Sequence, residues 1–470
     1  MQPVDNTAPW PESAAAVPVA RPVNGPAAPR LQKVLAVTTS DSIVVPILTR
    51  VEGEGGVTVQ LRQGAVERVQ LRIYEPPRLF ERLLHGRPLE DAPDITARIC
   101  GICPVAYQMS AVHALERALG VVVTPEIRRL RRLLYCGEWI ESHCLHTHFL
   151  HAPDFFGAAS GIELAQRFPA EIRRGLMLKK HGNRLVEAVG GRAIHPVNVA
   201  VGGFHRLPRR EELQALIPDL EWGLSAAIDA ARWMASFPFP RFEAPYEFVA
   251  LRHPEEYPMN EGDIASSSGL SLPVADFDRF FRETQVPHST ALQAVRRDTG
   301  TPYFVGPLAR VHLNREHLSP AARRLADEVG FAAECRNPFH GIIARSLEVV
   351  HAYEVALELI RGYTPRGPAR VPYQPRAGRG CAATEAPRGL LFHDYEVDAD
   401  GKIVSARIIP PTSQNQRQIE CDLESYLNGR LAQAVPREQL TLDCEQLVRT
   451  YDPCISCSTH FLRVTWEEPA

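Results

Sequence analysis

Near the end of the chain, Asp452-Pro453-Cys454-Ile455-Ser456-Cys457-Ser458-Thr459-His460 sets two thiols three positions apart and then a histidine. A second pair lies far upstream, in Arg98-Ile99-Cys100-Gly101-Ile102-Cys103-Pro104. A Cys-x-x-Cys turn aims two sulfurs the same way, and two such turns give four thiolates, a donor set for a soft transition metal. A structural zinc site is the plainest reading of that donor set. Zinc ribbons, however, part their pairs by only ~15–20 residues, whereas nearly the whole chain lies between these two. A thioredoxin-like redox pair is a weaker alternative, because neither pair stands at a strand-to-helix junction of a βαβ pattern.

Elements that would position these thiols are readable nearby. Residues Val57 to Tyr74 alternate apolar and polar on both sides of Gln63-Gly64, which predicts a β-hairpin. Just before it stands Glu52, which alone reads as a solvated charge. Pro77 to Gly86 reads as a short helix stopped by glycine, and Ala106 to Leu119 as a helix following the first thiol pair. Arg98 reads either as a helix-cap or surface residue or as a cation beside the thiolates. Thr124-Pro125-Glu126 is a helix start, with apolar residues at helical spacing leading to about Pro153. That helix carries His143, His146, His148 and His151, which lack acidic or thiol partners at ligand spacing and read as packed histidines. Residues 161–240 look helical with turns. Residues 238–301 look irregular, as a subunit-facing insertion would. Leu318 to Cys335 and Ile342 to Tyr363 return to helical periodicity, and Leu391 to Pro411 reads as a hairpin across Asp398–Gly401. Long helices should therefore form a central bundle.

The chain of 470 residues is 45% hydrophobic with a formal net charge of −3, which gives no hint of a nucleic-acid partner. No run of 18 apolar residues marks a membrane span. Ten cysteines in this length are no disulfide framework, and a reducing cytoplasm fits. The other six, Cys136, Cys144, Cys335, Cys381, Cys421 and Cys444, read as buried thiols. Residues 1–32 read as a disordered Pro/Ala-rich arm. No Gly-x-Gly-x-x-Gly follows a strand and no P-loop is present, so neither nucleotide nor flavin is expected here. No further cysteine array serves an iron–sulfur cluster, so electrons must leave through another polypeptide.

The two thiol segments resemble the metal-binding motifs of the nickel–iron hydrogenase large subunit. Pro104-Val105-Ala106-Tyr107 after the first pair resembles the cytoplasmic, bidirectional NAD(P)-linked and sulfhydrogenase α-subunit type. The resemblance spans about residues 41 to 460 and implies an α+β, mostly α fold: a central long-helix bundle with small peripheral β-hairpins, in one catalytic domain over 33–460. It implies nickel on Cys100, Cys103, Cys454 and Cys457, with Cys103 and Cys457 shared with an iron that carries carbon monoxide and cyanide. It implies a proton relay from Cys454 to Glu52, which matches the Glu of an Arg-Ile-Glu-Gly segment; a carboxylate suits that task. Arg388, in Glu385-Ala386-Pro387-Arg388-Gly389, and Asp452 would overhang the metals, and a guanidinium stays charged near neutrality. Pro387, Arg388, Pro411 and Thr412 would meet the diatomic ligands. Glu81, the carbonyl of Ile408 and His460 would hold magnesium, which prefers oxygen ligands.

Two positions depart from the family pattern. Tyr107 stands where a His often follows the second thiol, which puts that histidine's role in doubt, although a phenol still donates. Ser142 falls where many members carry an Asp above the metals; Asp154 matches a different Asp further on. The resemblance also implies an iron–sulfur small subunit, flavin- and NAD(P)-binding diaphorase subunits, metallochaperones, and a maturation protease that cuts after His460 and removes 461–470. The activity implied is reversible heterolytic cleavage of dihydrogen. The competing class is a hydrogen-sensing or structural homologue without turnover.

Overall fold

The computed structural model describes residues 42–76 and 78–459. The arm over 1–32, the tail 461–470 and His460 lie outside the described residues.

The centre is built on the helix Pro125–Leu145. Thr124 Oγ1 accepts the Ile127 N–H at 3.3 Å, and Pro125 occupies the first turn, where its missing N–H costs nothing. The helix runs on as a π segment, His146–His151, and a last turn, Ala152–Phe155. Three of the four histidines thus sit in the wider π geometry, which alternation of apolar residues does not signal. Pro169–Gly190 packs along Pro125–Leu145, and Gly341–Arg361 packs on both Pro125–Leu145 and Ile217–Ala235. The first crossing is close enough to need glycine: a Cβ on Gly182 would lie 2.6 Å from Glu141 N and 2.7 Å from Gly137 O.

Small antiparallel sheets surround the bundle. Ser42–Val45, Gly55–Arg62 and Ala65–Ile73 form one, and the last two are joined through Gln63 (φ 52°) and Gly64 (φ 82°), a left-handed pair that matches strand twist. Gly378–Ala386, Gly389–Val397 and Ile403–Ile409 form another, three-stranded rather than a simple hairpin, against which Pro104–Leu119 lies. No helix of the described residues is long and apolar enough to cross a membrane.

Two expectations are corrected. Residues 238–301 are not irregular: Val249–Arg252, Asp263–Ser266 and Ser271–Leu272 make a sheet, and Phe281–Thr284 pairs with Gln293–Arg296. They share a core with the larger sheet, where Phe277 stacks on Phe392 at 4.5 Å. Strands of two to four residues are too short for alternation to show. Residues 318–335 hold only the helix Pro320–Glu328, which ends before Gly330 at φ 65°.

The same substitution should act oppositely at two helical glycines. Gly182→Ala forces two helix backbones apart and should destabilise by about 1–3 kcal/mol. Gly429→Ala, with no atom within 4 Å of the added Cβ, should stabilise by about 0.5–1 kcal/mol. Denaturant unfolding of both variants measures the two signs.

Candidate metal centre

The first thiol pair sits in the turn between Ala92–Ala97 and Pro104–Leu119. Within it the N–H groups of Ile102 and Cys103 point at Cys100 Sγ, at 3.3 and 3.1 Å. The next helix starts at Pro104, and its N–H groups at Val105 and Ala106 donate to the buried Glu138, at 2.6 and 3.1 Å. This fixes the turn against the central helix. Burial, and then the charge of Glu141, push the Glu138 carboxyl well up.

The second pair follows Arg437–Thr450 and is docked on the N-terminal part of the chain. Ile455 N–H donates to Glu52 O at 2.9 Å, in a parallel bridge between Glu52 and Cys454. Cys454 N–H donates to Thr412 Oγ1 at 3.0 Å, at the start of Pro411–Ala432. Four sulfurs, of Cys100, Cys103, Cys454 and Cys457, thereby converge within 4.8 Å of one another. Cys100 Sγ lies 2.7 Å from Cys103 Sγ and 3.6 Å from Cys454 Sγ. None of the four residues is more than 3% exposed.

A dry cluster of this kind resists holding negative charge. Burial pushes up the thiols of Cys103, Cys454 and Cys457. Cys100 alone falls well below the usual range: against the same burial, it accepts hydrogen bonds from the other three sulfurs. The set fits a bound soft cation, since only compensating positive charge lets several buried thiolates coexist. Asp452 Oδ2 is buried without a hydrogen-bond partner among the described residues, two positions before Cys454.

Positive charge approaches from the hairpin turn between Gly378–Ala386 and Gly389–Val397, where Arg388 sits at the tip. Its Nε donates to Asp452 O at 2.8 Å, its Nη2 to Asp452 Oδ1 at 3.1 Å and its Nη1 to Ser142 Oγ at 3.4 Å. Burial works against that guanidinium, but Asp452 and the thiolates of Cys454, Cys103 and Cys100 hold it firmly charged. Burial raises the Asp452 carboxyl, opposed by Arg388 and Arg345. Pro387 precedes Arg388 in the turn, and Pro411 opens the helix that carries Thr412. Glu52 stands beside the cluster, where Cys454 Sγ donates to its Oε2 at 3.0 Å and Ser456 N–H at 3.1 Å.

The Arg388 turn is itself held by charged residues that the sequence reading passed over. Arg310 forms a bidentate pair with Glu348, 2.7 Å on each side, and meets Glu385 Oε2 at 3.0 Å. It also donates to the carbonyls of Ala386 and Pro387, at 2.8 and 3.0 Å, and lies 4.6 Å from the Trp139 ring centroid. His143 Nε2 stands 2.9 Å and Tyr257 Oη 2.6 Å from Glu348. Despite burial, Arg310 holds Glu348 down to about 2. Only half of this was signalled: Glu348 falls in the apolar first half of Gly341–Arg361, where a charge needs a partner, but that partner, Arg310, lies on another helix.

Other residues fall as follows. Glu81 Oε1 accepts the N–H of Ile408 at 2.8 Å, so the two meet through the amide of Ile408. Arg98 is exposed at the end of its helix and is not the cation near the sulfurs. Tyr107 is buried with its hydroxyl unpartnered among the described residues, and burial followed by the thiolate charges pushes its pKa well up. His146 bonds Arg449 O at 2.8 Å and packs its ring 5.1 Å from that of His151. Burial pushes both imidazoles down, which keeps them neutral. Asp154 bridges Arg449, at 2.8 Å, and Arg50. Cys136, Cys144, Cys335 and Cys444 are buried, whereas Cys381 and Cys421 are only half-buried.

Comparison with known proteins agrees with this geometry. The nickel-dependent hydrogenase family profile matches residues 78–176 and 297–460, a span that includes all four cysteines. The chain is 33% identical to sulfhydrogenase 1 subunit alpha of Pyrococcus furiosus, over 90% of this chain and 98% of that protein. It is 27% identical to the NAD-reducing hydrogenase HoxS subunit beta of Cupriavidus necator, over 90% and 95%. The crystal structure of an NAD+-reducing nickel–iron hydrogenase in the H2-reduced state superposes with a TM-score of 0.78 at 27% identity, covering 91% of this chain and all of that one. The chain therefore belongs to the nickel-dependent hydrogenase family, as a catalytic large subunit of the nickel–iron type.

Arg310→Met should destabilise the fold by about 3–5 kcal/mol, because it strands two buried carboxylates; a loss below about 1 kcal/mol would contradict the network. The pH dependence follows from Glu348. Its folded pKa, about 2, lies below the ordinary 4.5, so its stabilisation is fully present above pH 4.5 and is lost as pH falls towards 2. Unfolding free energies of the parent and Glu348→Gln across that window should converge at the acid end.

Proposed function

We propose that this subunit splits dihydrogen heterolytically and reversibly, with Cys454 and Glu52 as the proton-handling pair. The observation that carries the reading is the 3.0 Å contact from Cys454 Sγ to Glu52 Oε2, made by a thiol that is also one of the four convergent sulfurs. Cys100, Cys103, Cys454 and Cys457 would hold nickel, and Cys103 and Cys457 would also hold the iron with its carbon monoxide and cyanide. When loaded, that centre supplies the place where dihydrogen binds and is polarised. The protein's part is to exclude bulk water, to hold Arg388 and Asp452 over the sulfurs, and to move the proton. Cys454 Sγ receives it and donates it to Glu52 Oε2, which already accepts from that sulfur. Pro387, Arg388, Pro411 and Thr412 would line the diatomic ligands. Glu81, the carbonyl of Ile408 and His460 would hold magnesium.

Electrons would pass to an iron–sulfur small subunit and then to a flavin-bearing subunit that meets NAD(P). The support is kinship with the HoxS subunit beta and the sulfhydrogenase alpha subunit. Metallochaperones and a maturation protease acting after His460 would complete assembly, in the cytoplasm; that compartment is favoured by ten cysteines without a disulfide.

Glu52→Gln should keep its nickel yet lose hydrogen uptake by a factor of roughly 10²–10⁴. Cys457→Ser should lose both nickel and uptake. Infrared absorption in the carbonyl and cyanide region tests the iron ligands directly. Full uptake by the Glu52 variant would end the proton-relay reading. Intact infrared bands with no turnover in the parent, supplied with an artificial electron acceptor, would favour a sensing subunit instead.

A further inference from the structure

The two thiol turns share no strand or helix. The second is tied by its backbone to Glu52, and the first to its own helix and to Glu138. One side chain outside the cluster grips both. Arg78 Nη2 donates to Ile99 O and to Ser456 O, each at 2.5 Å. Ile99 immediately precedes Cys100 and Ser456 immediately precedes Cys457. The backbone N–H of the same arginine donates to Thr459 O, also at 2.5 Å, two residues beyond Cys457. Arg78 itself is half-buried, with its guanidinium 5.3 Å from the Phe80 ring centroid, and Leu79 turns the chain after it in the left-handed region at φ 58°.

We infer that Arg78 is a clasp that joins the two thiol turns and sets the spacing of the metal-binding sulfurs. A carbonyl next to a cysteine fixes the peptide plane from which that side chain springs. Holding the carbonyls before Cys100 and Cys457 on one charged nitrogen therefore fixes the relative placement of sulfurs from opposite ends of the chain. The two bonds are charge-assisted. The clasp needs no metal, so it closes the second turn over the first before loading and slows its reopening afterwards. Arg78 is a positioning residue in this scheme, and no proton or electron passes through it. The inference rests on the reading of the four cysteines as the nickel ligands.

The test uses the full chain bearing Arg78→Gln or Arg78→Lys, prepared both nickel-free and nickel-loaded. In the nickel-free Gln variant, amide hydrogen exchange should speed up about tenfold or more at residues 99–103 and 452–459, with the Pro125–Leu145 helix unchanged. In the loaded Gln variant, nickel should pass to a chelator about tenfold faster than from the parent. Lysine keeps a charged multiple donor and should restore part of both. Parent-like exchange and nickel loss in the Gln variant would overturn the clasp, as would exchange that accelerates equally throughout the bundle. A parent that never takes up nickel would sink the nickel-ligand reading instead, while the nickel-free exchange would still decide the clasp.

Discussion

Four sulfurs from opposite ends of a long chain must meet in a place that water does not reach, and the rest of the molecule is arranged around that demand. An isolated ionised group buried in an apolar interior carries a penalty of several kcal/mol or more even after relaxation. The thiols respond as that penalty requires: three are pushed up, and only Cys100, with two backbone N–H groups and neighbouring sulfurs aimed at it, is pulled down. A cation among them changes the balance, because each sulfur then exchanges a proton for a metal bond. The protein brings the sulfurs together and sets Arg388 beside them; a bound cation would supply further positive charge.

Bringing them together is a problem of backbone placement, solved without a continuous element between the two turns. Each turn is fixed by a short run of backbone hydrogen bonds to a different part of the chain: Glu52 for the second, Glu138 for the first. Arg388 is fixed in another way. Its turn hangs from Arg310, whose charge is neutralised by Glu348 and Glu385 out of reach of water. A buried network of this kind is poor value as stabilisation, since well-packed apolar residues often do as well. Here it specifies where two carbonyls and the next guanidinium must lie, which apolar packing would not do.

Legibility in the sequence tracks how local each cause is. The helix start at Thr124-Pro125 and the turn at Gln63-Gly64 were readable because capping and left-handed turn chemistry involve neighbouring residues. The four thiols were readable as a metal-ligand set because two Cys-x-x-Cys turns supply four soft donors, and their separation along the chain set them apart from a zinc ribbon. The short strands between Val249 and Arg296 were not, since two to four residues cannot show a period and their apolar partners, such as Phe392, lie far along the chain. The π segment at His146–His151 was hidden because it changes how the helix winds without changing its composition. Of the two readings of Arg98, the helix-end surface residue holds and the cation beside the sulfurs does not, because nearness to a ligand in sequence does not require nearness in space. The contacts of Arg310 and of Arg78 span too many residues for any spacing rule.

The departure at Ser142 has an electrostatic consequence. Where the resemblance would place a second acid, this chain offers a neutral hydroxyl, 3.4 Å from Arg388 Nη1. Asp452 is then the carboxylate paired with that guanidinium, and it faces Arg345 as well. Arg345, which donates to Thr450 O at 3.0 Å, is pushed down to about 10 by burial and by Arg388, yet stays protonated at neutral pH. Two guanidiniums, Arg388 and Arg345, thus act on one carboxylate, Asp452. An acid at position 142 would give Arg388 a second anionic partner. The difference matters for Cys100, the one thiol pulled down, because Arg388 is among the groups that favour its charged form. Serine at this position adds no negative charge beside Arg388, while its hydroxyl still gives that guanidinium an acceptor to hold its orientation.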